Sequence, residues 1–319
     1  MQLFSLEPTN PFGQSLSVAL EVSLSPHEER VFPDGERKLR PLVDPRGADA
    51  YVLLSLHGGP VDSPHDKLCR LLMFIATLKD HGAARVTAVV PYLAYARKDQ
   101  QTKPHDPVGL RYVAQLFDAV GVAQLIVLEA HNVAAFQNAF RCPTVHLSAH
   151  LVFDEIAQEV AVIGPLAVAS PDPGGVKRAL LWREALEKRL GRTVNFAMID
   201  KRRSAGVLSG GQLVAGEVKG ATVLLLDDLI ASGETLQRSA AALRRAGAKD
   251  VVGCAAHGLF VDKAPELLAD DGLSRLVVTD SVPPFRLPDD GAVRGKLHVV
   301  SAVTLFAEAV RASHGSWRQ

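Results

Sequence analysis

The sequence predicts an α/β fold of two similar domains, each a mainly parallel sheet flanked by helices. Apolar runs of strand length alternate with amphipathic runs of helix length along the chain, which is the order expected when helices connect parallel strands. The predicted strands are almost continuously aliphatic, as strands covered on both faces are. With 319 residues, the chain is long enough for two domains of ordinary size.

The first half contains three predicted strands, at 50–56, 85–90 and 124–128. A helix is predicted after the first strand, because Ser63 is a suitable N-cap and Pro64 suits the first helical position. This helix is expected to end at Gly82. Its apolar residues recur at helical spacing and are Leu68, Leu71, Leu72, Ile75 and Leu78. A second helix is predicted over 108–120.

The second half repeats this alternation, with strands predicted at 166–169, 194–199, 221–226 and 251–256. We therefore expect one domain over 1–147 and another over 148–301. A final helix within 302–314 could pack on either domain. The two longest stretches without periodicity, 91–106 and 200–212, are predicted to be functional or mobile loops, and both contain clustered cations.

Composition excludes several classes of protein. Lys plus Arg and Asp plus Glu both number 35, so the net charge is zero and non-specific binding to nucleic acid is not expected. No apolar run is long enough to span a membrane and the N-terminus does not resemble a signal peptide, so we expect a cytoplasmic protein without membrane contact. The three cysteines form no CxxC pair, which argues against zinc or a disulfide framework, and each is expected to be buried.

The most informative stretch runs from the buried strand at 223–226 into the acids Asp227 and Asp228 and then into a short loop before a helix. Ligands of open α/β sheets bind beyond the carboxyl ends of strands, and a helix N-terminus favours an anion. Ser232 and Thr235 offer hydroxyls, and Gly233 permits a tight backbone path. The stretch thus predicts a phosphate site with carboxylates for sugar hydroxyls; the alternative is that the acids only cap the next helix.

This stretch resembles the phosphoribosyl pyrophosphate motif shared by type I phosphoribosyltransferases and ribose-phosphate pyrophosphokinases. The resemblance implies that Asp227 and Asp228 hold the ribose 2- and 3-hydroxyls. It also implies a loop for the 5-phosphate, made of Ala231, Ser232, Gly233, Glu234 and Thr235. Many pyrophosphokinases have Asp where Ala231 stands, and Gly is commonest where Glu234 stands. An anionic side chain beside a phosphate costs energy unless it turns into solvent, so Glu234 is expected to bear on affinity.

Residues 32–36 (FPDGE) and 91–99 (PYLAYARKD) resemble the pyrophosphokinases rather than the transferases. Taken alone, the first is a simple turn and the cations of the second could be solvated. The resemblance implies that the first loop holds the adenine of ATP in a neighbouring subunit, and hence a homo-oligomer. It places an arginine of the second segment on the ATP phosphates and the two residues after it near the nucleotide. The implied ATP residues are Phe32, Asp34, Glu36, Arg97, Lys98 and Asp99.

Two further segments follow strands and carry potential metal ligands. His131 lies at the end of the strand at 124–128, where a neutral imidazole can bind a divalent cation or touch phosphate oxygens. Asp172 lies in residues 170–179, where two glycines allow close backbone approach, and it is a hard oxygen ligand suited to Mg²⁺. Both match pyrophosphokinase elements, and the resemblance implies that His131 and Asp172 together serve Mg²⁺ while His131 also contacts ATP.

The segment 199–203 leads from a strand into the Gly- and Ser-containing stretch up to residue 212. If the extended geometry continues, Lys201 and Arg203 share one face while Arg202 points away. Taken alone, these cations could serve only solubility. The resemblance instead assigns Lys201 and Arg203 to a flexible catalytic loop that closes over the phosphates.

The resemblance extends from about residue 3 to residue 310, with five motifs in the family's order. It implies transfer of the β,γ-diphosphate of ATP to the anomeric hydroxyl of ribose 5-phosphate. The sequence has neither a Walker loop (GxxxxGK[ST]) nor a dinucleotide fingerprint (GxGxxG), which agrees with this expectation. Two alternatives stay open: a phosphoribosyltransferase, and a non-catalytic homologue that kept the fold.

Overall fold

The computed structural model of the chain describes residues 1–7, 9–162, 164–204, 207–289 and 291–317, with the side chains of 201–212 outside the description. The chain divides into two compact units, residues 1–148 together with the C-terminal segment from Ala302, and residues 149–301. Each unit contains a mainly parallel sheet with helices between its strands, so the predicted α/β class is confirmed. Within the described ranges, no helix combines the length and apolar character needed to cross a membrane.

The first unit is built on a five-stranded parallel sheet. A separate antiparallel hairpin lies between the first two strands of this sheet in the sequence. Its strands are β1 (Gln2–Ser5), β2 (His27–Val31), β3 (Arg37–Pro41), β4 (Asp49–Leu53), β5 (Arg85–Val90), β6 (Gln124–Leu128) and β7 (Thr144–Leu147). Its helices are α1 (Pro11–Leu20), α2 (Pro64–Asp80), α3 (Gly109–Ala119), α4 (Val133–Ala139) and the C-terminal helix (Val303–Trp317). The sheet order is β1-β4-β5-β6-β7, and β2 pairs only with β3 in the hairpin.

The start of α2 follows from its capping residues. The Ser63 hydroxyl accepts a hydrogen bond from the Asp66 backbone N–H (3.2 Å), and the Ser63 N–H donates to the Asp66 carboxylate (2.8 Å). This reciprocal capping box satisfies two backbone donors at the helix end. The predicted start of the helix is therefore confirmed, and β5 and β6 have the predicted bounds.

The expectation that every cysteine is buried is wrong for one of the three. Cys254 is buried and Cys142 is half-buried, but Cys69 is exposed. Cys69 lies on α2 between Leu68 and Arg70, which both face inward, and its own side of the helix faces solvent. Its accessibility is therefore decided by helical phase rather than by residue type.

The C-terminal helix belongs to the first unit and is held there by apolar and polar contacts. The ring of Phe306 meets that of Phe12 edge to face, with centroids 5.5 Å apart. Further along the helix, His314 Nδ1 lies 2.7 Å from Oδ2 of the buried Asp49, which also accepts a hydrogen bond from Arg85 Nε (2.8 Å). The open question of where this helix packs is decided by these long-range contacts.

The second unit is built on a seven-stranded sheet of order β10-β9-β8-β11-β12-β13-β14, parallel except for the β9–β10 pair. Its strands are β8 (Leu166–Ser170), β9 (Asn195–Ser204), β10 (Val207–Gly216), β11 (Thr222–Ile230), β12 (Asp250–Gly258), β13 (Arg275–Thr279) and β14 (Leu297–Val300). Its helices are α5 (Asp154–Ala161), α6 (Val176–Leu190), α7 (Glu234–Arg245), α8 (Ala264–Leu268) and α9 (Ala292–Lys296).

Two strands of this unit extend further than the sequence predicted. β11 continues past Leu226 through the two acids to Ile230, because its backbone goes on pairing with β12. The described backbone of the predicted loop at 200–212 belongs to β9 and β10, whose antiparallel pairing satisfies backbone groups whatever the side-chain pattern is. Strand length is thus set here by pairing between strands.

Candidate functional site

The segments after β8 and β11 leave the sheet at the same edge. The two strands are parallel neighbours, with Leu166 opposite Thr222 and Ala169 opposite Leu225. The carboxyl ends of both strands therefore point the same way, which brings the predicted metal segment and the predicted ribose segment of the second unit to one edge.

At that edge, Asp227 and Asp228 form a close acidic pair. The backbone N–H of Asp228 donates to Asp227 Oδ1 (2.9 Å), and Asp228 is 5% exposed. Burial and the neighbouring Asp228 carboxylate together raise the pKa of Asp227, while the positive charge of Arg178 acts in the opposite direction. Asp227 therefore binds its proton more tightly than an ordinary carboxyl and would be stabilised as an anion by a ligand that donates hydrogen bonds.

The loop after β11 contains a glycine that its geometry requires. Gly233 has a φ of +81°, and a Cβ added there would lie 2.8 Å from Leu268 Cγ. The left-handed backbone and the close approach to α8 both make any residue other than glycine energetically unfavourable at this position. Helix α7 begins directly afterwards at Glu234, so the backbone N–H groups of its first turn point into the loop at 231–235, where the sequence predicts a phosphate.

Glu234 turns into solvent, which answers the concern raised by its charge. It is exposed at the start of α7 and forms an ion pair with Arg238 one turn later. An acid in the first turn also interacts favourably with the helix dipole.

The resemblance implies ribose 5-phosphate as the ligand of this loop, and on that expectation Glu234→Gln should change its KM by less than about twofold, because exposed ion pairs contribute little. Steady-state kinetics with varied ribose 5-phosphate would measure this, and Glu217→Gln, another exposed acid of the second unit, is the matched control. A rise of tenfold or more would show that Glu234 contacts the ligand.

Asp172 caps the short turn after β8. Its Oδ1 accepts a hydrogen bond from the Gly175 N–H (3.2 Å), and the Ser170 hydroxyl donates to its backbone carbonyl (2.6 Å). These contacts hold the carboxylate at the strand end. A half-buried carboxylate in a tethered turn is a suitable oxygen ligand for Mg²⁺.

In the first unit, residues 32–36 form the tip of the β2–β3 hairpin. The Phe32 N–H donates to the Glu36 carbonyl (2.8 Å), and the Glu36 N–H donates to Asp34 Oδ1 (3.1 Å). Asp34 and Glu36 are exposed, while Phe32 is half-buried with the Arg30 guanidinium over its ring, 5.0 Å from the centroid. The tip thus presents an aromatic ring and two carboxylates together.

In the segment after β5, a lysine side chain forms an ion pair with a carboxylate. Lys98 Nζ lies 2.6 Å from Asp106 Oδ2, and the same oxygen accepts hydrogen bonds from Thr102. The Lys98 ammonium and the Thr102 donors hold the pKa of Asp106 well below its usual range. The charge of Lys98 is therefore partly matched by Asp106, whereas Arg97 is exposed.

A side-chain hydrogen bond joins the segments after β5 and β6. Asn132 Nδ2 donates to Asp99 Oδ2 (2.8 Å), and Asn132 Oδ1 accepts from the Ala135 N–H (3.1 Å) at the start of α4. His131 lies directly before this asparagine and is exposed. The structure thus links the two predicted nucleotide segments of the first unit through one amide.

The structure brings together the predicted residues of each segment, and it adds three that sequence reasoning missed: Asp106, Asn132 and Arg178. Arg178 could have been suspected from its place at the start of α6, but the partners of Asp106 and Asn132 depend on how loops fold back. Lys201 and Arg203 have backbones in β9, and their side chains lie outside the described part. Among the described residues, no cluster of three or more acidic, His or Cys side chains could hold a metal by itself.

Comparisons with known proteins cover nearly the whole chain. The N-terminal domain of ribose phosphate pyrophosphokinase matches residues 1–121, and the phosphoribosyl transferase domain matches residues 145–275. A ribose-phosphate pyrophosphokinase of Thermotoga maritima is 31% identical over 97% of this chain and 94% of its own length. The Aquifex aeolicus protein of the same name is 35% identical over 88% of this chain and 85% of its own length.

A solved structure is similar in fold as well as in sequence. The crystal structure of phosphoribosylpyrophosphate synthetase from Mycobacterium smegmatis superimposes with a TM-score of 0.84 at 32% identity, covering 99% of each chain. The similarity therefore includes both units.

Proposed function

The chain belongs to the ribose-phosphate pyrophosphokinase family, and we propose how its residues carry out the reaction of that family. The reaction transfers the β,γ-diphosphate of ATP to the anomeric hydroxyl of ribose 5-phosphate and yields 5-phosphoribosyl 1-pyrophosphate and AMP. The observation that carries the assignment is a full-length match that includes the N-terminal domain, which a phosphoribosyltransferase domain alone would not match.

Ribose 5-phosphate is bound at the carboxyl end of β11. Asp227 and Asp228 accept hydrogen bonds from the 2- and 3-hydroxyls, and the 5-phosphate lies in the loop at 231–235 against the N-terminus of α7. Two observations support this: Asp227 and Asp228 lie in the last four residues of β11 before the loop, and Glu234 is exposed and pairs with Arg238.

ATP is bound by the segments of the first unit that carry Arg97, Lys98, Asp99 and His131, together with the hairpin tip of a neighbouring subunit. Arg97 is exposed and carries the charge that triphosphate oxygens need. The Phe32 ring offers a surface on which adenine can stack, and Asp34 and Glu36 accept hydrogen bonds from its amino group.

Mg²⁺ fits the residues that the sequence singled out. It is usually held by one or two carboxylates together with substrate phosphates and water, so the tethered Asp172 carboxylate is a suitable ligand, and His131 is assigned to the ion by the resemblance. When bound, the ion neutralises charge on the phosphate oxygens. The remaining stabilisation falls to Lys201 and Arg203, which donate to the transferring group while Arg97 holds ATP in place.

Incubation of the purified protein with ATP, Mg²⁺ and ribose 5-phosphate tests the function directly. We expect AMP to form in an amount equal to 5-phosphoribosyl 1-pyrophosphate, and only when ribose 5-phosphate is present. Formation of ADP without the sugar, or no turnover under conditions in which the folded protein binds both compounds, would contradict the proposal.

The shared ATP site predicts complementation between two defective variants. We expect Lys201→Ala and Phe32→Ala each to lose activity, and their co-expression to restore part of it, because a mixed assembly contains sites in which one subunit supplies Lys201 and its neighbour supplies Phe32. For randomly mixed dimers the recovery is about a quarter of the parent activity. No recovery despite demonstrated mixed assembly would mean that each subunit uses its own hairpin tip.

A further inference from the structure

The β2–β3 hairpin has one charged face toward solvent and one face toward α2. Side chains alternate along both strands, and Leu39 on the inner face is buried in the core of the first unit. Arg30, Lys38 and Arg40 on the outer face are exposed. The inner face also contains Glu29 and Arg37, so charged side chains are enclosed between the hairpin and the body of the unit.

Four charged side chains form a closed set of ion pairs at this inner face. Arg37 Nη1 lies 2.6 Å from Glu29 Oε1, and Arg37 Nη2 lies 2.6 Å from Asp62 Oδ1. Arg70 makes the matching pair of contacts, with Nη2 2.6 Å from Glu29 Oε2 and Nη1 2.6 Å from Asp62 Oδ2. Each carboxylate therefore binds both guanidinium groups, and we call these four residues the ion-pair ring.

The ring is shielded from solvent. The exposed fractions of its side chains run from 6% at Arg70 to 22% at Arg37. Two positive and two negative charges balance, so removal of one member leaves a buried charge without its partner. Ion pairs of this kind contribute little net stability compared with apolar packing, but they fix the relative orientation of the groups that form them.

The ring connects the hairpin to two other parts of the unit. Glu29 lies on β2 and Arg37 on β3, while Asp62 precedes α2 and Arg70 lies within it. Arg70 Nη2 also donates to the Leu6 carbonyl (2.8 Å), directly after β1. Neither β2 nor β3 pairs with the five-stranded sheet, so side-chain contacts such as these orient the hairpin, together with the backbone hydrogen bond from the Ser25 N–H to the Leu3 carbonyl (2.7 Å) just before β2.

The ring lies directly below the hairpin tip. Arg37 is opposite Val31 in the strand register, and the next pair outward is Phe32 and Glu36, whose backbone hydrogen bond closes the turn. The ion pairs of Arg37 therefore restrain the residue that directly follows the hairpin tip in the chain. We propose that Glu29, Arg37, Asp62 and Arg70 are positioning residues for ATP, which hold the hairpin tip in the orientation that receives adenine; this inference rests on the proposed function.

Glu29→Gln tests the proposal, with Glu28→Gln as its matched control. Glu28 directly precedes Glu29 on the same strand, faces outward and pairs with the exposed Arg40. We expect Glu29→Gln to raise KM for ATP by about tenfold, as misplacement of a binding group does, while kcat and KM for ribose 5-phosphate change by less than about twofold. The control should leave all three constants unchanged.

Two further variants keep the test decisive. Asp62→Asn removes the charge of the other carboxylate of the ion-pair ring, which does not belong to the hairpin, and should raise KM for ATP similarly. Arg37→Lys keeps the charge but cannot bridge two carboxylates through a planar group, so it should give a milder rise in a protein that folds. A lowered melting temperature with unchanged KM for ATP, or an effect of Glu29→Gln that Asp62→Asn does not reproduce, would overturn the positioning role. Failure of the parent protein to form AMP would instead refute the proposed function.

Discussion

Replacement of Lys201 by alanine is expected to lower kcat at least about 100-fold, the scale of losing one preorganised electrostatic donor. Diphosphoryl transfer asks little covalent chemistry of the protein, so positioning and charge neutralisation supply most of the rate. If Lys201 acts on the transferring group, KM for both substrates should change much less than kcat, because its interaction strengthens in the transition state.

Arg202→Ala is the matched control, since the alternation of an extended chain predicts that Arg202 faces away from Lys201 and Arg203. Steady-state rates of AMP formation for the three single alanine variants would separate the positions. We expect large losses at 201 and 203 and a loss below about threefold at 202. Near-normal turnover of Lys201→Ala would show that another group neutralises the transferring phosphate.

Replacement of Asp227 by asparagine is expected to raise KM for ribose 5-phosphate by about 10- to 100-fold, because hydrogen bonds to a charged acceptor contribute about 1.5–3 kcal/mol each. Isothermal titration with ribose 5-phosphate would measure the loss of affinity directly. Asp271→Asn, at a fully exposed acid of the same unit, is the control. Unchanged affinity would contradict the role of Asp227 in holding the sugar.

The same substitution should change how stability depends on pH. The folded protein raises the pKa of Asp227 above its ordinary value of 3.8, through burial and the Asp228 charge, so ionisation favours the unfolded chain. This contribution to stability is complete below pH 3.8 and is lost as pH rises toward the raised pKa. Asparagine does not titrate, so Asp227→Asn should lose less unfolding free energy than the parent between about pH 5 and pH 8 in urea titrations. Parallel pH profiles of the two proteins would refute the raised pKa.

If Asp227→Asn both weakens sugar binding and retains more unfolding free energy near pH 8, the acidic pair is a stability cost that the fold accepts for binding. The Asp227–Asp228 pair is held together by the fold despite like-charge repulsion, and a bound sugar or cation would relieve it. The predicted exchange of stability for affinity at Asp227 is therefore specific to this site and should be absent at Asp271.

Some parts of the fold follow from short-range signals. Ser63, Pro64 and Asp66 begin α2 through contacts within one turn, and β5 and β6 are aliphatic runs bounded by polar residues. The order of the strands along the chain, and the polar and charged residues that follow each strand, are likewise local features of the sequence. These features were sufficient to predict the α/β class and the family to which the chain belongs.

The sequence by itself therefore determined which residues follow which strand, and with them the family and its chemistry, because caps, apolar periodicity and motifs act between neighbours in the chain. Only the tertiary structure decided that Arg70 meets Glu29, 41 residues away, that Asn132 meets Asp99, and that Phe306 of the C-terminal helix meets Phe12. Contacts between distant residues depend on how whole elements pack, and no local pattern encodes which charge or ring will be brought to face another.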